Sequence, residues 1–194
     1  TASTKRMLIV LTDKGKVHWC KVHRLPLSSR TSKGKAIANV VQLAADEKVR
    51  AILPVNEFSE NKYVVMLTEK GIIKKTSLDA FNNPRQAGII ALTTDLDDQL
   101  VSAKISDGTS DIFIATKEGM SIRFNEDDVR GMGRSARGVK GITLSKEDSV
   151  IGMEVLEKDT KDTILMVTGK GYGKRSEPIE YRVQSRGGVG IITQ

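Results

Sequence analysis

Four copies of one pattern constrain this chain more than any other feature of it. In each copy a short apolar run ends on Thr, and a Gly follows three residues later: LIVLTDKG (8–15), VVMLTEKG (64–71), IFIATKEG (112–119) and ILMVTGKG (164–171). The Thr residues, Thr12, Thr68, Thr116 and Thr168, stand 56, 48 and 52 positions apart. A Val- and Ile-rich run of this length reads as a buried strand. The Thr ends it, the next residues turn, and Gly supplies the left-handed conformation of a bulged hairpin loop. A lone hairpin is marginal in water. Four at a period of roughly 50 residues predict stacked, propeller-like blades.

A second landmark recurs independently. Ala36–Ile37, Gly88–Ile89, Gly141–Ile142 and Gly190–Ile191 each predict the opening of a third strand, with Ile residues 52, 53 and 49 positions apart. A fourth strand is expected at 49–55 (VRAILPV), 100–105 (LVSAKI) and 150–155 (VIGMEV). Short helical turns are expected near 77–81, 125–129 and 177–181. The fold class is therefore all-β. One domain over 1–194 holds four repeats of four-stranded blades, roughly 1–56, 57–107, 108–156 and 157–194. The last repeat stops at Gln194 before its final strand, so an open arc is expected, its last blade one strand short. Such open edges favour pairing with another copy.

Composition narrows the function. Hydrophobic residues make up 39% of the chain, enough for a core, and no apolar run is long enough to span a membrane. The apolar stretch near the N-terminus is too short for a signal peptide. The single cysteine, Cys20, excludes an internal disulfide framework and points to a reducing cytoplasm. Aromatics are 4%, too few for binding single strands by base stacking.

The net charge of +7 is moderate, so placement matters more than the total. The turns before the fourth strands are acidic: Asp46 and Glu47; Asp95, Asp97 and Asp98; Glu147 and Asp148. The second strands and the connections after them are basic: Lys21, Arg24, Arg30, Lys33 and Lys35; Lys74, Lys75 and Arg85; Arg123, Arg130, Arg134, Arg137 and Lys140; Lys174, Arg175, Arg182 and Arg186. Stacking would align these positions into a basic band along one rim. The bland alternative is a solvated surface of mixed charge.

The connections enter the third strands through SKGKAI, RQAGII, RGVKGI and RGGVGI. Glycines let backbone approach a phosphate, and neighbouring Arg and Lys supply charge. The Gly before each Ile is assigned a structural role and the flanking cations the functional one. Neither 169–174 nor 133–138 satisfies the Gly-Lys-Ser/Thr requirement of a nucleotide loop. His18, Cys20 and His23 lack a fourth metal ligand and read as filled strand positions. No nucleophile–base pair is present, so no catalytic residue is assigned.

These stretches together resemble the C-terminal domain of the bacterial DNA gyrase A-subunit and its relative in topoisomerase IV. The similarity runs through KGKAIANVVQL, VRAILPVNEF, EKGIIKKTSLDAFNN, EGMSIRFNEDDVRGMGRSARGVKGI and GKGYGKRSEPIEY, nearly the whole chain. The resemblance implies a β-pinwheel, a six-bladed ring in which blades exchange strands and double-stranded DNA bends around a basic rim. It implies duplex contact by Arg30, Lys33, Lys35, Lys74, Lys75, Arg85, Arg130, Arg134, Arg137, Lys140, Lys174, Arg175, Arg182 and Arg186. The family's hallmark box, Q-[RK]-R-G-G-[KR]-G, has a degenerate counterpart in Gln184, Arg186, Gly187, Gly188 and Gly190, with Ser185 and Val189 at the two other basic positions. By the order of matching stretches the sequence corresponds to the second through fifth blades. Duplex binding is then expected of it, and complete wrapping only with further blades. Implied partners are duplex DNA, the remainder of the gyrase A-subunit and the gyrase B-subunit, in a cytoplasmic, nucleoid-associated enzyme. No cofactor is implied for this chain. ATP, magnesium and the catalytic tyrosine belong to other parts of that enzyme. The alternatives are a topoisomerase IV domain for substrate selection and a propeller that binds a protein.

Overall fold

The computed structural model describes residues 2–193. The first repeat contributes β1 (Met7–Thr12), β2 (Lys16–Lys21) and β3 (Val49–Val55). The second contributes β4 (Tyr63–Thr68), β5 (Ile72–Ser77), β6 (Ile89–Ile90) and β7 (Leu100–Ser106). The third contributes β8 (Asp111–Thr116), β9 (Met120–Asn125), β10 (Val139–Lys140) and β11 (Val150–Leu156). The fourth contributes β12 (Ile164–Val167), β13 (Gly173–Ser176) and β14 (Ile191–Ile192). The expected helical turns are short 3-10 helices at Leu78–Phe81, Glu126–Asp128 and Pro178–Glu180.

The Thr-x-x-Gly signature closes its hairpins as the residue types demand. The N–H of Gly15, Gly71, Gly119 and Gly171 donates to the carbonyl of the signature Thr at 2.9, 3.0, 3.2 and 2.9 Å. The glycines hold φ between +70° and +84°. In three repeats the Thr hydroxyl also accepts the N–H four residues on, from Ile72, Met120 and Tyr172 at 3.1 to 3.2 Å. In the first repeat Thr12 instead donates to the buried Glu47 carboxylate at 2.7 Å.

The sheets run β3-β1-β2-β6, β10-β5-β4-β7 and β11-β8-β9-β14, with a two-stranded β12-β13. The third strand of each repeat therefore does not join its own hairpin. It crosses to the free edge of the preceding one: Ile89 pairs with Val17, Val139 with Ile73, and Ile191 with Ser121. This corrects the sequence expectation in three ways. The third-repeat strand is Val139–Lys140, not a strand opening at Gly141–Ile142, because the positive-φ glycine that admits it is Gly138, matching Gly88 and Gly190. Gly141 aligns instead with Ala91 and Thr193, whose N–H groups donate to the preceding repeat's turn glycine. Residues near Ala36–Ile37 form a 3-10 helix, Ile37–Asn39, since no earlier hairpin in this sequence offers an edge. Finally, β14 completes the third sheet, so the last blade has two strands among the described residues, not three. Gln194 lies outside them.

The cores lie between blades. Alternate residues of one strand face opposite neighbours, so Val64 and Met66 of β4 pack with Ile9, Leu11, Val17, Leu78 and Phe81, while Val65 and Leu67 pack with Ile112, Ile114 and Phe124. Strands covered on both faces read as continuous apolar runs, which is the signature's first half. Phe113 and Ala115 meet Ile164 and Tyr181, with the Phe113 and Tyr181 rings edge to face at 4.8 Å. In the fourth hairpin the corresponding Leu165 and Val167 are 65% and 59% exposed.

The glycines separate two costs. A Cβ on Gly15 would lie 2.2 Å from the Leu92 carbonyl oxygen, whereas one on Gly171 would meet nothing within 4 Å. Gly171→Ala is expected to lose about 1–2 kcal/mol, from the left-handed φ alone. Gly15→Ala should lose clearly more, because Leu92 must move off the blade. Urea unfolding of the two variants measures this, and equal losses would contradict the packing of Leu92 over the first turn.

Candidate nucleic-acid interface

The basic residues divide into those the fold consumes and those it leaves free. Seven residues after each signature Thr stand Trp19, Lys75, Arg123 and Arg175. The first three reach into the next repeat's 3-10 helix. Trp19 Nε1 donates to the Phe81 carbonyl at 3.0 Å, Lys75 Nζ to that of Glu126 at 3.1 Å, and Arg123 Nη1 to that of Pro178 at 2.6 Å. Arg123 also holds Asp111 through Nε at 2.8 Å and Nη2 at 2.7 Å. Lys75 is buried, 3.7 Å from a Glu126 carboxylate oxygen and 5.1 Å from the Tyr63 ring centre. The carbonyls of Lys75 and Arg123 accept the N–H of Met132 and Gln184, each at 2.8 Å. The corresponding residue of the second repeat is Pro84, which has no N–H to give.

Lys74 and Lys75 therefore do not stand on a contact surface, contrary to the sequence expectation. Lys74 is fully buried and donates from Nζ to the carbonyls of Ala91, at 2.7 Å, and Arg134. Both lysines sit mid-strand in β5, which neighbouring blades cover on both faces. The spacing after Thr carries the signal, since it places them beside Ile73 within an interior strand.

The other assigned residues lie on the connections. Arg30, Lys33, Lys35, Arg85, Arg130, Arg134, Arg137, Lys140, Lys174, Arg175 and Arg182 are exposed, and Arg186 is half-buried. Arg137 pairs with Asp95 at 3.1 Å and Lys174 with Glu180 at 3.7 Å. None of the other exposed cations has a carboxylate within 4 Å among the described residues. The connections abut in repeat order. Arg24 and Arg85 line one cleft of about 660 Å³, and Arg85 and Arg134 the next, of about 480 Å³. Arg186 then ties the third connection to the fourth by donating to the carbonyls of Asp128, at 2.8 Å, and Lys140, at 3.0 Å.

Three cations beside the Thr-x-x-Gly turns or on the outer strands are paired with carboxylates instead. Lys14 pairs with Asp46 at 3.3 Å, Lys70 with Asp97, and Lys104 with Glu154 at 2.7 Å. Hydrogen bonding from the Lys14 and Lys70 ammonium groups lowers the Asp46 and Asp97 carboxyls below the usual range. At Asp148 burial opposes ionisation, but bonds from the Thr116 hydroxyl and from backbone N–H groups outweigh it, and the carboxyl is again lowered.

The degenerate box forms an inter-blade joint. Gly187 donates from N to the Gly141 carbonyl at 2.7 Å and accepts the Thr143 hydroxyl at 2.7 Å, while the Gly188 carbonyl accepts the Thr143 N–H at 2.8 Å. The Gln184 N–H donates to Arg123. Gly190 at φ +80° lets β14 close on β9, where a Cβ would lie 2.3 Å from the Ser121 carbonyl oxygen. Five of the seven positions match the hallmark, and the N–H groups of Gln184, Arg186 and Gly187 are spent on the neighbouring blade.

A family model described as DNA gyrase C-terminal domain, beta-propeller, matches residues 6–56, 62–107, 110–157 and 162–194. The DNA gyrase A-subunit of Lawsonia intracellularis is 45% identical over 193 residues, covering 99% of this chain and 24% of that protein. Its counterpart in Haloquadratum walsbyi is 42% identical over 195 residues, covering 98% and 23%. The chain thus spans about a quarter of the length of these curated relatives. Among solved structures, the C-terminal domain of DNA topoisomerase IV superposes with a TM-score of 0.87 at 29% identity, over 97% of this chain and 58% of that one. A DNA gyrase A C-terminal domain superposes at 0.82 and 24% identity, over 97% and 60%, a likeness of fold. With strand-exchanged blades, the Thr-x-x-Gly hairpins and a family match through all four repeats, the chain belongs to the DNA gyrase C-terminal domain family.

Proposed function

We propose that this chain binds double-stranded DNA along its basic connections and bends it. In this reading it is the accessory domain of a type IIA topoisomerase that introduces negative supercoils with ATP. The observation that carries the reading is the sorting of charge. Most cations on the abutting connections, Arg85, Arg134 and Lys140 among them, have no carboxylate within 4 Å among the described residues, while Lys14 and Lys70 by the turns and Lys104 on an outer strand are paired. Such an array suits phosphates at regular intervals and offers no element that reads base edges. Bending 20–30 base pairs by 40–90° costs about 1–6 kcal/mol, so contacts spread over several blades must offset it.

The remainder of the gyrase A-subunit and the gyrase B-subunit complete the enzyme in this reading, with ATP, magnesium and the catalytic tyrosine outside this chain, in the bacterial cytoplasm. No helix among the described residues is long and apolar enough to cross a membrane. Selection of DNA substrates in a topoisomerase IV is the second reading, favoured by the superposition at TM-score 0.87. A gel-shift titration with two duplexes of unrelated sequence tests the proposal. Both should bind alike, with log affinity falling linearly in log salt. Ligating nicked circles in the presence of the chain should then leave a shifted linking number. Salt-insensitive binding, or binding to one sequence only, would defeat the proposal.

A further inference from the structure

A fully buried lysine almost always has a charged partner, yet Lys74 has no carboxylate within 4 Å among the described residues. Its ammonium is bound by two carbonyls from different repeats: Ala91, just past β6, and Arg134, in the third repeat's connection. Burial, with the Arg134 guanidinium nearby, pushes its pKa down to about 8. The fold thus holds a charge here against an electrostatic cost.

The fourth repeat shows what that charge replaces. Arg134 and Arg186 occupy matching positions, each four residues before the positive-φ glycine that admits the crossing strand, Gly138 and Gly190. In the fourth repeat the connection is fastened by Arg186 itself, whose guanidinium donates to the carbonyls of Asp128 and Lys140. The residue corresponding to Lys74 there is Ile122, which cannot donate. In the third repeat Lys74 takes the Arg134 carbonyl, and the Arg134 guanidinium makes no ion pair among the described residues. Arg134 then lines the 480 Å³ cleft together with Arg85, Thr93 and Ser135.

We infer that Lys74 is a positioning residue for duplex binding: by fastening the Arg134 backbone against the end of β6, it frees the Arg134 guanidinium to share one DNA phosphate with Arg85. This rests on the duplex-binding reading above and adds which residue sets the geometry of one contact.

The test uses the whole chain, with Lys74→Met, Arg134→Ala and the double variant, in duplex gel shifts at fixed salt. Each single change should weaken binding about threefold to tenfold, and the double change should cost little more than either, because Lys74 acts through Arg134. Additive losses would overturn the inference. Amide hydrogen exchange gives a readout independent of DNA. It should accelerate at residues 133–138 in Lys74→Met and stay unchanged in the hairpins, and unchanged exchange at 133–138 would overturn the inference whether or not DNA binds. If Lys74→Met does not fold, Lys74→Gln, neutral but still a donor, should give acceleration at 133–138, and wild-type rates there would count against the inference. Failure of the wild-type chain to bind duplex would defeat the DNA reading alone, and exchange would still decide what Lys74 holds. A pH series checks the buried charge. Between about pH 8 and the ordinary lysine value, the unfolded chain binds the extra proton. Wild-type stability should therefore rise relative to Lys74→Met as pH climbs through that window, and a constant difference would contradict the buried ammonium.

Discussion

Arg123→Ala is expected to destabilise the chain by about 3 kcal/mol, the low end for breaking a buried ion pair, while leaving the salt dependence of duplex binding unchanged. The Arg123 and Asp111 side chains are 19% and 9% exposed, so solvent screens the pair little. Removing the guanidinium leaves the Asp111 carboxylate unpaired and takes a donor from two carbonyls of the fourth repeat, those of Pro178, which keeps the Tyr181 N–H, and Tyr181. It also cuts a polar link between the third and fourth blades. Arg123→Lys should recover only part of the loss, since one ammonium cannot hold a carboxylate and two carbonyls in fixed directions. Urea unfolding with linear extrapolation measures the stability change. A loss below about 1 kcal/mol, as for an exposed pair, would show that Arg123 is not a staple.

Replacing Arg85, Arg134 and Lys140 together by Ala should weaken duplex binding on the order of 100-fold at 0.1 M salt, through three lost phosphate contacts. The loss should be the same for unrelated duplexes. These three are exposed, lie on the second and third connections and the strand that closes the third, and have no carboxylate within 4 Å among the described residues, whereas Arg137 and Arg186 are already engaged with Asp95 and with backbone carbonyls. The fold should survive, because none of the three side chains bonds another residue. A loss confined to one sequence would mean that base edges, not phosphates, are read.

Much of this was legible from residue spacing. The Thr-x-x-Gly hairpins follow from local chemistry, since turn, Thr cap and left-handed Gly lie within five residues of one another. The 3-10 helices after the second strands were legible for the same reason. Strand exchange followed from the family resemblance but not from the residue pattern itself. Whether Ile89 pairs with its own hairpin or the previous one depends on which edge is free, and a two-residue strand carries too little pattern to register. The same shortness misplaced the third-repeat strand by three residues, onto Gly141–Ile142. Charge was readable by repeat position but not by depth. Lys75 and Arg123 look like rim cations in sequence, and only the next blade's 3-10 helix reveals them as donors across an interface.

The central claim is that position, not total charge, makes the interface. Two variants with the same charge change test it most directly: Arg85, Arg134 and Lys140 to Ala, against Lys14, Lys70 and Lys104 to Ala. Each removes three positive charges. The quantity to measure is the slope of log affinity against log salt for one duplex. The first variant should lower the slope by roughly two to three units, and the second by less than about one. Equal changes would contradict the account, because the net charge of +7 would then govern binding wherever the cations stand.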